Sequence, residues 1–399
     1  MPTKFVKNAL KLLNKIKGVE RLLFSLMYNL YMKNLIDKAS ECHKLSKAEI
    51  TAILKDKSIN EYLFCAADKV RRKYIGDEVY LRALIEFSNI CRCNCFYCGL
   101  RAENRDVERY RLTRDEILDC AKHAISHGYK TIVLQSGEDL HFSAEALADI
   151  IKEIKSNTPR PFGERVELLN EQREFSKSGQ GDNVAITLSI GERSFEEYKI
   201  LKEAGADRFL LRIETTNKNL YAKFHPGQNV ENRKRCLYDL KKLGFETGTG
   251  SLIGLPGQTE EDLAEDILFY KELNADMIGI GPLITHERTP LAGQPNGDLT
   301  LALKVMALTR LLLPDINIPA TTAMETLQPN GRILALKAGA NVVMPNVTDN
   351  AHKKNYEIYP GKVSVDYAEL DEKLKQLGRK ISTGRGFRSD NGGFYEDRR

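Results

Sequence analysis

No apolar run in this 399-residue chain approaches the roughly 20 residues that cross a bilayer, so a membrane-embedded protein is not expected. Charge of one sign is also lacking: 60 basic against 55 acidic residues leave +5, too little to imply nucleic acid as a partner. Hydrophobic residues at 42% and charged residues at 29% exclude disorder for the bulk of the chain. No signal-peptide pattern opens the sequence, no solenoid period repeats along it, and no cysteine follows Cys236. A reducing, cytoplasmic setting is the expectation. The alternative is an organelle, if the basic first residues serve as a transit peptide.

What is present is concentrated. Cys91, Cys93, Cys95 and Cys98 fall within eight residues, while Cys42, Cys65, Cys120 and Cys236 are scattered. A tight group in a reducing compartment reads as metal or cluster ligation. Cys91, Cys95 and Cys98 form a C-x3-C-x2-C array in which one loop supplies three thiolates; Cys93, Cys95 and Cys98 form a competing triplet. A 4Fe–4S cluster held by three thiolates keeps one iron open, whereas structural zinc wants a fourth ligand, and none is nearby in sequence. Cys120 and Cys236 fall on expected helices and read as buried small hydrophobes.

Lys4, Lys7, Lys11, Lys15 and Lys17 interleave with Phe5, Ala9, Leu12, Leu13 and Ile16 at helical spacing. This basic amphipathic helix opens an N-terminal helical extension over residues 1–76. From 77 to 380, short apolar runs alternate with helix-period segments. Strands are expected at 80–87, 131–135, 185–190, 208–214, 246–253, 277–281, 318–323 and 341–345, with helices at 114–126, 194–204, 231–243, 260–273 and 301–312. Strand–helix alternation of this kind gives an α/β fold, a (β/α)8 TIM-type barrel, with an open doubly wound sheet as the alternative. A polar segment at 157–183 and a Gly-bearing tail at 381–399 break the rhythm and read as dispensable surface chain. Deleting most of residues 161–181 is predicted to leave fold and activity intact, since loop length costs only about 0.6 kcal/mol per doubling. Loss of soluble protein on deletion would show instead that the segment packs on the barrel.

Barrel enzymes build their sites from loops at the C-terminal ends of the strands, and the cysteine loop follows the first strand. Gln135, Ser136 and Gly137 end the second, where a glycine lets backbone approach closely. Arg212 and Glu214 alternate with apolar residues and would point inward, where a buried charge needs either the other or a ligand. Gly248, Gly250, Gly254 and Gly257 mark either a close ligand or tight barrel packing. Thr321, Thr322, Met344 and Tyr356 lie near the last two strands, with hydroxyls suited to an anionic substrate. His225 and His286 sit in expected loops and read as surface histidines.

The C-x3-C-x-aromatic-C pattern resembles the signature of radical S-adenosylmethionine (SAM) enzymes. The ordered run SNICRCNCFYCGLR, TIVLQSGED, ADRFLLRIETTN, FHPGQ, GTGSLIGLPGQT, ADMIGIGPLITH, IPATTA and AGANVVMPN is similar to the HydE-type [FeFe]-hydrogenase maturases. The resemblance implies a 4Fe–4S cluster on Cys91, Cys95 and Cys98, whose open iron chelates SAM and cleaves it reductively to a 5′-deoxyadenosyl radical. It places Tyr97, Gln135, Ser136, Gly137, Thr187, Glu214 and Arg233 at SAM, an Arg fork suiting its carboxylate. It places Arg212, Thr321, Thr322, Met344 and Tyr356 at a substrate cavity. The implied partners are a small-molecule or organometallic substrate (an iron–carbonyl–cyanide–cysteine precursor), other hydrogenase maturases, and an electron donor of ferredoxin or flavodoxin type. The alternative is another radical SAM reaction of the biotin synthase or methylornithine synthase group. Two departures stand out: Ile213 replaces the histidine of the related R-H-E-T motif, and the second cluster of some relatives has no ligands here.

Overall fold

The computed structural model describes residues 19–156 and 184–390. The basic segment at 1–18, the polar insertion at 157–183 and the last nine residues lie outside the described residues. The strands are β1 (Glu78–Leu81), β2 (Ala83–Ser88), β3 (Thr131–Ser136), β4 (Ala185–Ser189), β5 (Arg208–Leu210), β6 (Glu246–Thr249), β7 (Leu252–Ile253), β8 (Met277–Ile278), β9 (Gly281–Pro282), β10 (Val342–Val343) and β11 (Lys380–Ile381). Among the described residues every strand ladder is parallel. A six-stranded sheet runs β2-β3-β4-β5-β6-β8, with β7-β9 and β10-β1-β11 beside it.

Single bridges carry the sheet round: Met277 to Asn317, Pro319 to Val342, and Leu84 to Asn346, which returns to β2. The architecture is the expected TIM-type α/β fold, although continuous ladders do not close the whole circle. The strand expected at 318–323 is reduced to bridges, as Pro319 has no N–H to give a ladder. The strand expected at 246–253 splits at Gly250, whose φ of +154° turns the chain between β6 and β7.

Alternation sorts side chains to the two faces. In β2, Ile85 and Phe87 join the hydrophobic core under the helices, while Leu84 and Glu86 face the interior cavity. Crossover helices start on capping boxes, Thr113 with Glu116, Ser194 with Glu197, and Thr259 with Asp262, each satisfying two orphan N–H groups. Helices Lys47–Lys55 and Asn60–Ile75 of the extension pack on Glu260–Glu272 and Leu299–Leu312. Buried Lys304 donates from there to the carbonyls of Leu54 and Asp56, both at 2.5 Å.

The segment after β11 corrects the expectation of a flexible tail over its described part. Residues 382–390 cross the N-terminal end of the barrel. The Arg385 carbonyl accepts from Thr131 Oγ1 and Arg208, and the Gly386 carbonyl from Arg82 and Asn317. Arg388 is buried against Asp315 at 2.7 Å and Asp276 at 3.1 Å. Composition hid this because the segment packs through arginines and backbone carbonyls, not through apolar periodicity.

Candidate active site

At the opposite end, the strand-end loops enclose a cavity of about 700 Å³. The loop after β2 delivers all four clustered cysteines to its wall. Cys91 Sγ accepts from the backbone N–H of Glu138 (3.3 Å) and of Cys93 (3.4 Å). The neighbouring Cys93 thiol and these two amides lower the Cys91 pKa below the usual thiol value. Gln228 Nε2 lies 3.9 Å from Cys95 Sγ. Burial pushes the Cys95 thiol up to about 12 and raises that of Cys98, with the Leu100 amide acting the other way at Cys98. At Cys93 the Cys91 sulfur, burial and the Glu138 carboxylate all push the thiol up. Backbone amides reach Cys91 and Cys98 and the Gln228 amide approaches Cys95, the kind of donor that supports a thiolate ligand, while burial and neighbouring sulfurs disfavour the thiolate at Cys93, Cys95 and Cys98 alike. Among the described residues no three Cys, His, Asp or Glu side chains converge as around a single metal ion.

Gly137 is required for a reason the sequence only half reveals. Its N–H donates to the Ser88 carbonyl at 2.9 Å, and a Cβ there would run into the Ile90 carbonyl and Cys91. The glycine thus admits the cysteine loop itself. Gly137→Ala is predicted to lower cluster loading at least as much as it lowers SAM affinity; iron per chain after anaerobic reconstitution checks this, and wild-type loading would refute it.

The remaining residues arrange around one wall. Arg212 Nη2 lies 3.0 Å from Glu214 Oε2, yet Arg212 Nε and Nη2 and Glu214 Oε2 are buried with no hydrogen-bond partner in protein alone. Glu214 has φ +63°, a left-handed conformation rare for a side chain of its size, and its N–H and carbonyl bond to Gly250 and Leu252. Burial raises its pKa while Arg212 and Arg233 lower it. Arg233 is fixed by Glu192 Oε1 at 2.7 Å, the Arg212 carbonyl at 3.2 Å and Gln228 Oε1 at 3.0 Å. Gln135 Nε2 reaches Tyr356 Oη at 3.4 Å, and Ser136 Oγ donates to the Gly137 carbonyl. Thr321, Thr322 and Met344 line the same cavity. Thr187 is buried with an unpartnered Oγ1 but is not on the cavity wall.

Two histidine readings are corrected. His225 is buried: its Nδ1–H donates to the Tyr221 carbonyl (2.9 Å), so Nε2 accepts from Tyr97 Oη at 2.8 Å. Burial depresses its pKa to about 4, keeping the ring neutral. His286 is also buried, with Nδ1 accepting from Arg288 N–H and Nε2 at 3.4 Å from Glu357. Both loops fold back on the cysteine loop, a tertiary event that sequence-local reasoning cannot register. The glycine run 248–254 serves packing: Cβ atoms at Gly250 and Gly254 would meet the backbones of Gly279 and Gly297. Sequence reasoning missed Gln228 and Glu138, and also Glu86 with its partner Lys362 (2.6 Å). Gln228 closes the FHPGQ motif, the one signal that pointed to it.

The sequence profile of the Radical SAM superfamily matches residues 85–270. The [FeFe] hydrogenase maturase subunit HydE of Thermotoga maritima is 52% identical over 329 residues, covering 81% of this chain and 87% of that protein. The chain is a radical SAM protein of the HydE family. Among solved structures, methylornithine synthase (PylB) superposes with a TM-score of 0.74 at 26% identity, over 89% of this chain and 98% of that one. The maturase HydG shares the fold, with a TM-score of 0.72 at 19% identity over 88% and 76% of the two chains. As a radical SAM enzyme, this HydE-family protein uses a 4Fe–4S cluster and SAM. The residues present fit both groups: three half-buried thiols with amide donors near them line the cavity, and so do the ion-paired Glu214 and Arg212, whose Nε has no hydrogen-bond partner in the protein.

Proposed function

We propose that this HydE-family protein acts in [FeFe]-hydrogenase maturation on a small organometallic precursor, with Cys91, Cys95 and Cys98 holding the cluster. When bound, the cluster and SAM supply a 5′-deoxyadenosyl radical by reductive cleavage of the sulfonium. The observation that carries the reading is that the three thiols and the Arg212–Glu214 ion pair line one cavity of about 700 Å³.

The chain's own residues then divide the work. Burial strips water from Cys95 and Cys98, and a bound cation reverses the resulting rise in thiol pKa by taking the thiolate directly. Arg233, locked by three partners, presents a fixed cationic fork to a carboxylate. Glu214 accepts from ligand donors, and Arg212 beside it balances its charge. Thr321, Thr322, Met344 and Tyr356 hold the substrate across the cavity. An electron donor of ferredoxin or flavodoxin type, other hydrogenase maturases and a cytoplasmic setting complete the proposal. Among the described residues no helix is long and apolar enough to cross a membrane.

Sulfur insertion of the biotin synthase kind calls for further sulfur ligands inside the barrel; among the described residues the only cysteines on the cavity wall are the four of the loop. Anaerobic reconstitution should therefore load about 4 irons per chain. Complementation of a host lacking its maturase is the test of the biological role: restored hydrogenase activity supports it, and SAM cleavage without restoration would redirect the assignment to another substrate.

A further inference from the structure

One arginine outside every motif above lies at the base of the cysteine loop. Arg109 Nη1 donates to the carbonyls of Asn89 (2.6 Å) and Leu100 (3.0 Å), and Nη2 to those of Arg101 (2.8 Å) and Asn104 (3.0 Å). Asn89 precedes Cys91, and the other three residues follow Cys98. All four Nη hydrogens are thus spent on the two stems of the loop that carries the thiols, a geometry only a planar guanidinium fork provides.

The surroundings hold Arg109 in turn. The buried Asn89 amide donates to the Glu108 carbonyl at 2.8 Å and accepts from Tyr110 N–H at 2.8 Å, clasping Arg109 from both sides along its strand of chain. Asn104 Nδ2 returns to the Gly99 carbonyl at 2.7 Å, closing the second stem. The guanidinium is half-buried, and its charge acts on the Cys91 and Cys98 sulfurs.

We propose that Arg109 is a positioning residue for the iron–sulfur site, clamping the two stems of the cysteine loop and placing a fixed positive charge behind it that raises the cluster's reduction potential. The inference rests on the cluster assignment above. Reduction adds one electron, taken from an external low-potential donor, and a nearby cation favours the more negative product. A half-buried charge acts with less screening than one in solvent.

The test compares Arg109→Gln, Arg109→Lys and, as a control for net charge, the exposed Arg105→Gln. Two readouts are used besides turnover: backbone hydrogen exchange of the metal-free chains, and the midpoint potential of reconstituted cluster in a dye-mediated titration followed by EPR. Both Arg109 variants are expected to exchange faster at residues 89–104 while the rest of the chain keeps wild-type protection. Arg109→Gln is expected to titrate at a more negative potential, with Arg109→Lys nearer wild type and Arg105→Gln unchanged. If Arg109→Gln holds no cluster, the neutral Arg109→Met is titrated against Arg109→Lys, and loss of the cluster from both neutral variants while Arg109→Lys still loads it overturns a role confined to tuning the potential. Wild-type exchange at 89–104 in both variants overturns the clamp, and an Arg109→Gln potential equal to wild type overturns the charge effect. Failure of wild-type protein to bind a cluster would instead overturn the cluster assignment, so the two failures are distinguishable.

Discussion

Cys91→Ala, Cys95→Ala and Cys98→Ala should each abolish reductive cleavage of SAM, while Cys93→Ala keeps most of it. The sulfurs differ in what surrounds them. Backbone amides reach Cys91 at 3.3 and 3.4 Å, Gln228 approaches Cys95, and the Leu100 amide favours the thiolate of Cys98. Burial and neighbouring sulfurs work against the thiolate at Cys93 as they do at Cys95 and Cys98, so the sparing of Cys93 rests on the C-x3-C-x2-C spacing. A three-thiolate cluster has no substitute for a lost ligand, so each deletion removes the site instead of weakening it. The visible absorption of reconstituted protein and the yield of 5′-deoxyadenosine measure the outcome. If Cys93→Ala loses its cluster and Cys91→Ala retains one, the triplet is Cys93, Cys95 and Cys98.

Truncation after Ile381 is expected to have the second-largest effect, and on stability before activity. It removes Arg388 from the buried carboxylates Asp315 and Asp276, and removes the carbonyls that accept from Arg82, Arg208, Thr131 and Asn317. Breaking a buried ion pair costs about 3–5 kcal/mol, a large part of the 5–15 kcal/mol that stabilises a typical domain. Arg388→Met isolates the ionic part and should lower the melting temperature by several degrees. Removing residues 391–399 alone tests the other half of the original expectation and should change little. A truncation after Ile381 that melts with the full chain would show that 382–390 merely rest on the barrel.

Much of the site was readable before any coordinates because its signals are local. Cysteine spacing, the Gly137 turn and the inward alternation of Arg212 and Glu214 each need only a few neighbouring residues. Alternation of apolar runs with helix-period segments was enough for the α/β architecture, because crossover helices and parallel strands leave periods that differ. What stayed hidden depends on partners distant in sequence. His225 reads as a loop histidine until Tyr97 closes on it, and 128 residues separate the two. The tail reads as flexible until its carbonyls meet arginines at the starts of other strands. Arg109 carries no motif at all; its function is defined only by four carbonyls that the folded loop brings round it. The glycine run was ambiguous for a related reason, since ligand approach and backbone packing ask for the same residue, and the structure answers with Gly279 and Gly297.

The central claim is an iron–sulfur cluster with one iron left open to SAM, and EPR of the reduced, reconstituted protein with and without SAM tests it most directly. The account predicts about 4 irons per chain and a signal whose g-values move when SAM adds nitrogen and oxygen ligands to the open iron. A spectrum indifferent to saturating SAM, at full cluster loading, would contradict it.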